Sequence, residues 1–64
     1  MQINGQQIDI EEQITISDLL KIQNYNEDVV AVEKNGEIVP RKYFNTEILS
    51  NEDKIEIVCF VGGG

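Results

Sequence analysis

The start of the chain alternates apolar and polar residues on both sides of an Asn-Gly pair. Residues 1–4 alternate in this way before the pair. After it, Ile8 and Ile10 alternate with Gln7 and Asp9 in residues 7–10. A period of two is typical of a strand with one buried face, and Asn4-Gly5 suits the positive φ angles of a type I′ turn. The pattern therefore predicts a β-hairpin.

A helical spacing of apolar residues follows the hairpin. Ile16, Leu19 and Leu20 fall at i, i+3 and i+4, on one face of a helix. Thr15 precedes them as an N-cap, and Asp18 follows three positions later, as in a capping box. So short a helix is not stable alone in water, so we expect it to pack on a sheet.

The rest of the chain predicts a second hairpin. Residues 29–34 are rich in valine, Asn35-Gly36 repeats the turn signal, and residues 37–39 return as far as Pro40, which cannot donate to a strand ladder. Residues 41–49 lack a clear period, and we expect an irregular connection with one helical turn. Four side chains are predicted to hold it down: Tyr43, Phe44, Ile48 and Leu49.

A turn at residues 51–53 leads into a last predicted strand, residues 54–61. The resulting order, β-β-α-β-β-β, predicts an α+β domain with one helix packed across one face of a mixed sheet. This arrangement matches the β-grasp fold, in which the last strand lies in the middle of the sheet, beside the first. We expect a single domain over residues 1–64, with a flexible tail at residues 61–64.

The two faces of the last strand have different characters. Alternation turns Ile55, Ile57 and Cys59 towards the helix, so Cys59 is expected to pack in the core and not to act as a nucleophile. Val58 and Phe60 then point away from the helix, on a sheet face that has no second layer.

An exposed apolar patch around Val58 and Phe60 would be a protein-binding surface. Val29 or Val39 would extend it. The alternative is that residues 41–49 cover the patch, and the sequence does not decide between the two.

The net charge narrows the class of partner. Twelve acidic residues against five basic ones give a charge of −7, which repels phosphate backbones and anionic lipids. We therefore expect no nucleic acid and no membrane as partners, and favour a basic patch on a protein. A single cysteine, the absence of a signal-like start and the lack of any transmembrane-length stretch predict a cytoplasmic protein.

Candidate catalytic groups are few. The chain has no histidine, and no glycine-rich loop between a strand and a helix offers a phosphate cradle. The acidic residues pair in predicted loops and turns, where solvated charges are usual: Glu11-Glu12, Glu27-Asp28 and Glu52-Asp53. We therefore expect no catalytic residues and no metal site.

The remaining candidate group is the α-carboxylate of Gly64. Taken alone, Gly62-Gly63-Gly64 favours a frayed terminus. Glycine has no Cβ, however, so such a tail could enter a narrow groove of another protein. A carboxylate becomes an acyl donor only after activation, for example as an acyl-adenylate.

Two motifs resemble a known family. Residues 30–41, which contain Asn35-Gly36 and end in Val39-Pro40-Arg41, are similar to the NGxxVPR-type signature of the thiamine-pathway sulfur carrier family, ThiS. Residues 53–64, with their glycine ending, are similar to the end of that family. The resemblance covers essentially the whole chain.

The resemblance implies a ubiquitin-like protein co-substrate and not an enzyme. An E1-like adenylyltransferase, ThiF, would use Mg-ATP to adenylate the terminal glycine. Sulfur from a persulfide, supplied from cysteine by a cysteine desulfurase or another sulfur donor, would replace AMP. The resulting thiocarboxylate would donate its sulfur to thiazole synthase, ThiG, which builds the thiazole of thiamine.

Carried over to this chain, Gly64 is the modified residue, Gly63 its required neighbour and Gly62 the third glycine seen in some members. The implied partner-facing residues are Val58, Phe60 and Val61. One departure is that the turn before the last strand reads Asn51-Glu52-Asp53, where the family often has Asp-Gly-Asp. A positive φ at Glu52 would be unfavourable there.

Other functions share the fold and the tail. They are the small subunit of molybdopterin synthase, a ubiquitin-like modifier, and a carrier for another sulfur-containing metabolite. A rival of a different class is an interaction module whose tail has no role.

Overall fold

The computed structural model describes residues 1–60, which form a five-stranded sheet, a helix and a small second sheet. The strands are β1 (Gln2–Ile3), β2 (Gln6–Gln7), β3 (Ile14–Thr15), β4 (Val30–Lys34), β5 (Glu37–Ile38), β6 (Ile48–Leu49) and β7 (Lys54–Cys59). The helix α1 is Ile16–Ile22, and 3₁₀ turns occur at Glu27–Val29 and Arg41–Tyr43.

The main sheet has the strand order β2-β1-β7-β4-β5. Strand β7 pairs with β1 in parallel and with β4 in antiparallel orientation, so the sheet is mixed and its last strand is central. This confirms the predicted β-grasp arrangement. The separate pair of β3 and β6 was not predicted, because two residues per strand are too few to show an alternating pattern.

Both Asn-Gly turns have the backbone that the sequence predicts. The φ angles are 50° at Asn4 and 85° at Gly5, and 53° at Asn35 and 87° at Gly36. Positive φ at both central residues is the requirement of a type I′ turn. In the described chain Glu52 has no positive φ, so the departure at that turn costs no backbone strain.

The side chains of both turn asparagines bind the central strand. The Ile57 N–H donates to Asn4 Oδ1 at 2.8 Å, and Asn4 Nδ2 donates to the Ile57 carbonyl at 3.2 Å. The Lys54 N–H donates to Asn35 Oδ1 at 2.9 Å. The chain turns away from β7 at Asn4, and the Asn4 side-chain amide takes the place of a further β1 residue by binding the backbone of Ile57.

The predicted capping box starts α1. The Asp18 N–H donates to Thr15 Oγ1 at 3.1 Å, and the Thr15 N–H donates to Asp18 Oδ2 at 3.2 Å. The helix ends at Ile22, with Gln23 as its C-cap. Its buried residues pack against the sheet in one core, whose members are Met1, Ile3, Ile16, Leu19, Leu20, Val30, Val32, Phe44, Leu49, Ile55 and Ile57.

Two details of the sequence prediction are wrong. Residues 8–10 do not continue β2, because both backbone groups of Ile10 bind the side-chain amide of Asn51, at 2.9 and 3.0 Å. In the connection after Pro40 the helical turn is present, but Tyr43 and Ile48 are exposed. Phe44 and Leu49 alone enter the core from that connection.

A charged group joins the two sheets. Lys34 Nζ donates to Glu47 Oε2 at 2.8 Å and to the Ile48 carbonyl at 3.0 Å, with Asp53 Oδ2 at 3.9 Å. The hydrogen bond to Glu47 raises the pKa of Lys34 against the opposing effect of burial, and the nearby carboxylates add to the rise. Burial raises the pKa of Asp53, but hydrogen bonds from Asn35 and Ser50 and the charge of Lys34 outweigh it, so that pKa is lowered.

Replacing Asn4 with glycine tests the amide contact with β7. Glycine keeps the positive φ but removes both hydrogen bonds to Ile57, so the free energy of unfolding should fall by about 1–3 kcal/mol. Urea denaturation measures this. The control is Asn24→Gly, at an exposed position with φ 61°, which should change stability by less than about 0.5 kcal/mol. Equal losses in the two variants would contradict the account.

Asp53 should contribute to the loss of stability in acid. Its pKa is lower in the folded chain than its ordinary 3.8, so its contribution is present above that value and is lost as pH falls through the folded value. Asp53→Asn removes this contribution. Urea denaturation at a series of pH values should show a lower free energy of unfolding for the variant at pH 7. This difference from the parent should narrow in acid, whereas a difference that is constant with pH would contradict a lowered pKa of Asp53.

Candidate functional site

One face of the main sheet carries no second layer. It is called the open face here, and it consists of Ala31, Glu33, Ile38, Glu56, Val58 and Phe60. Strand register places Val58 opposite Ala31, and Glu33 opposite both Glu56 and Ile38. The Phe60 N–H donates to the Val29 carbonyl at 3.0 Å, which continues the β4–β7 ladder and keeps Phe60 on the Val58 side.

The open face is apolar at Val58 and Phe60, where β7 finishes, and at Ile38 of β5, which lies beside Glu33. The exposed fraction of the residue is 58% for Val58, 64% for Phe60 and 70% for Ile38. Glu33 and Glu56 form an acidic row beside these side chains. Large apolar side chains at such exposure, grouped on one face of a small domain, are typical of a protein-binding surface.

Residues 41–49 do not cover the open face. The Ser17 N–H donates to the Phe44 carbonyl at 2.9 Å, and Phe44 is buried in the core. The connection therefore packs on the helix side of the sheet. The alternative that it covers Val58 and Phe60 is wrong.

Ile38 takes the place that the sequence reasoning gave to Val29 or Val39. Both valines are partly buried and pack against the core. The signal for Ile38 was present, because a two-residue turn at Asn35-Gly36 fixes the register of the hairpin. That register pairs Glu33 with Ile38 and puts Ile38 on the open face.

Cys59 is exposed, which corrects the prediction of a core position. Its partner Val30 lies on the same side of the sheet and is buried. Helix α1 has seven residues and spans about 10 Å, whereas the six residues of β7 span about 20 Å. The helix therefore cannot cover the whole strand, and Cys59 lies at the uncovered end.

The predicted tail site lies outside the described residues. This applies to Val61, Gly62, Gly63 and Gly64. The described chain fixes the position of Phe60, which is held at the end of the central strand by the Val29 carbonyl.

Two cations follow the second hairpin. Arg41 Nη1 lies 3.0 Å from Asp28 Oδ1, and both side chains are largely exposed, so this ion pair adds little to stability. Lys42 Nζ lies 5.2 Å from the centre of the Tyr43 ring. Since Asp28 immediately precedes Val29, the Arg41 guanidinium lies near the end of the sheet that holds Phe60.

No clustered chemistry occurs within residues 1–60. No three side chains among histidine, cysteine, aspartate and glutamate are grouped there in a way that could hold a metal ion. In the same part of the chain, no helix combines the length and apolar content needed to cross a membrane.

Comparisons with known proteins identify similar chains. The family model described as "ThiS family" matches residues 1–64. The chain is 33% identical to the ycf40 protein of Porphyra purpurea, over 100% of this chain and 90% of that one. It is 38% identical to the sulfur carrier protein ThiS of Bacillus subtilis (strain 168), over 100% of this chain and 98% of that one.

Further similarity extends to a larger protein and to a solved structure. The chain is 39% identical to a segment of the thiazole synthase of Paramagnetospirillum magneticum, over 97% of this chain but 19% of that protein. The crystal structure of the thiamine biosynthesis protein ThiS from Geobacter metallireducens superposes with a TM-score of 0.79. That pair is 30% identical, over 98% of this chain and 96% of the other.

The exposure of Cys59 predicts fast thiol labelling of the folded protein. Iodoacetamide should alkylate native Cys59 within a few-fold of the rate in urea, because no described element covers the end of β7. Intact mass against time measures both rates. Alkylation that is slower by about a hundredfold or more in the native state than in urea would show that Cys59 is buried in the core.

Proposed function

Because the chain belongs to the ThiS family, we propose that it is a sulfur carrier of thiamine biosynthesis, a protein co-substrate and not an enzyme. The family match over residues 1–64 is the observation that carries this proposal. It also favours the thiamine branch over the small subunit of molybdopterin synthase.

The proposed chemistry takes place at Gly64. Its carboxylate attacks the α-phosphorus of Mg-ATP in the active site of an adenylating enzyme of the ThiF kind, and pyrophosphate leaves. A persulfide sulfur, derived from cysteine through a desulfurase, then attacks the acyl carbon and displaces AMP. A thiol cleaves the acyl disulfide and releases the thiocarboxylate. Gly62 and Gly63 allow access because they have no side chains.

The proposed acceptor of the sulfur is a thiazole synthase, ThiG. Its support is that proteins named thiazole synthase in Paramagnetospirillum magneticum and Magnetococcus marinus contain a segment like this chain, over 19% of their length. Two activities that share one polypeptide commonly act in sequence. A carrier that meets thiazole synthase as a separate chain needs a surface for that encounter.

The open face fits that need. Val58 and Phe60 offer apolar area where β7 leads to Val61 and the glycines, and Ile38 adds to it from β5 on the same face. Docking there would place the tail at a fixed point on the partner. The acidic row of Glu33 and Glu56 would meet basic residues on the partner and guide the approach.

Intact mass spectrometry tests the carrier proposal. Incubation with the adenylating enzyme, Mg-ATP, a desulfurase, cysteine and a thiol should raise the mass by the difference between one sulfur and one oxygen atom. Removal of both Gly63 and Gly64, which leaves no Gly-Gly terminus, should abolish the change at every protein concentration. An unchanged mass of the full chain, or the same change in the truncated chain, would overturn the proposal. An unchanged mass together with partner binding that survives the truncation would leave an interaction module.

The same assay tests the open face. Val58→Glu and Phe60→Glu alter exposed side chains, so both variants should fold, yet each should slow thiocarboxylate formation about tenfold at low carrier concentration. Saturating carrier should restore the rate, because docking and not chemistry is affected. The matched control is Ile48→Glu, at an exposed isoleucine of β6 (46%), which should react as the parent does. Equal rates of thiocarboxylate formation in all variants would show that the open face is not the docking surface.

A further inference from the structure

A second apolar surface lies on the helix side of the molecule. A groove of about 300 Å³ runs between α1 and the segment that links β2 to β3. Its apolar lining is Ile8, Ile10, Ile14, Leu19 and Ile22. It is called the α1 groove here, and neither the carrier chemistry nor the open face uses it.

The lining of the α1 groove combines core residues with one exposed side chain. Leu19 is buried at its base, and the isoleucines of residues 8–14 are partly buried. Ile22 has 63% of its surface exposed at the last residue of the helix. A dry cavity of about 150 Å³ can hold a benzene molecule, so the α1 groove has room for about two apolar side chains.

The rim of the α1 groove selects the charge of its occupant. Among the described residues that line it, Asp9, Glu11 and Glu12 carry carboxylates and none carries a cation. The whole chain has a charge of −7, which adds a long-range field of the same sign. An acidic or anionic ligand is therefore repelled, and a second copy of this acidic chain is disfavoured.

From this geometry we propose that the α1 groove binds a short segment of a partner protein that combines apolar and basic residues. Its apolar side chains fill the space over Leu19 and beside Ile22, and its cations pair with the rim carboxylates. Since α1 covers the opposite side of the sheet from the open face, both surfaces can be occupied at once. Binding in the α1 groove requires neither the tail nor the sulfur-carrier chemistry.

Isoleucine methyl NMR of the whole chain provides the test. The probe is a synthetic peptide in which leucines alternate with arginines, and its charge-reversed control replaces each arginine with glutamate. The methyls of Ile8, Ile10, Ile14 and Ile22 report on the groove, and that of Ile38 reports on the open face. The basic peptide should shift the groove methyls and leave Ile38 unchanged, while the acidic peptide should not bind.

Substitutions inside and outside the α1 groove test whether the basic peptide binds there. Ile22→Lys places a cation in the groove at an exposed position and should raise the Kd of the basic peptide about tenfold or more. Ile48→Lys makes the same change outside the groove and should leave the Kd unchanged. Double substitution of Glu11 and Glu12 by glutamine should also weaken binding and reduce its salt dependence.

Four results would overturn the proposal. The first two are a chemical-shift change at Ile38 in place of the groove methyls, and equal binding of the acidic peptide. The third is an unchanged Kd for Ile22→Lys. The fourth is that the chemical shifts of the groove methyls change with protein concentration when no peptide is present. The last result would mean that a second copy fills the groove.

Discussion

The hydrogen bonds that hold β7 in the middle of the sheet determine the rest of the structure. A parallel ladder between β1 and β7 brings together segments from opposite ends of the chain, and β1 has only two residues. The Asn4 amide adds a further pair of hydrogen bonds to Ile57 at 2.8 and 3.2 Å. Asn35 binds Lys54 from the other hairpin. Each asparagine therefore forms a turn and also anchors the central strand.

A central β7 explains why the open face carries Val58 and Phe60 side by side with the end of the strand. With hydrogen-bonded neighbours on both sides, the strand buries Ile55 and Ile57 against α1 and presents Val58 on the other side. The short helix leaves the end of β7 uncovered, and Cys59 and Phe60 are exposed there. In the proposed function, this part of the molecule holds a docking surface and a tail in register with each other.

The sequence predicted the features that local rules decide. Asn-Gly turns, the Thr15 to Asp18 capping box and the inward direction of Ile55 and Ile57 depend on neighbouring residues, and all are present. Cys59 was misplaced, because alternation gives the side of a strand but not how far the opposite layer extends. Residues 8–10 were misassigned for a related reason, since a side chain 41 positions away, that of Asn51, binds the backbone of Ile10. The exposure of Ile38 was predictable from the hairpin register.

Methyl NMR of the chain with the adenylating enzyme and Mg-ATP shows whether the open face is the docking surface. The account predicts that the methyls of Ile38 and Val58 shift or broaden when the enzyme is added, because the open face is the docking surface. The methyls of Ile16 and Leu20, on the buried face of α1, should not change. Binding that leaves the methyl signals of Ile38 and Val58 unchanged would show that the enzyme binds another surface, and would contradict the account.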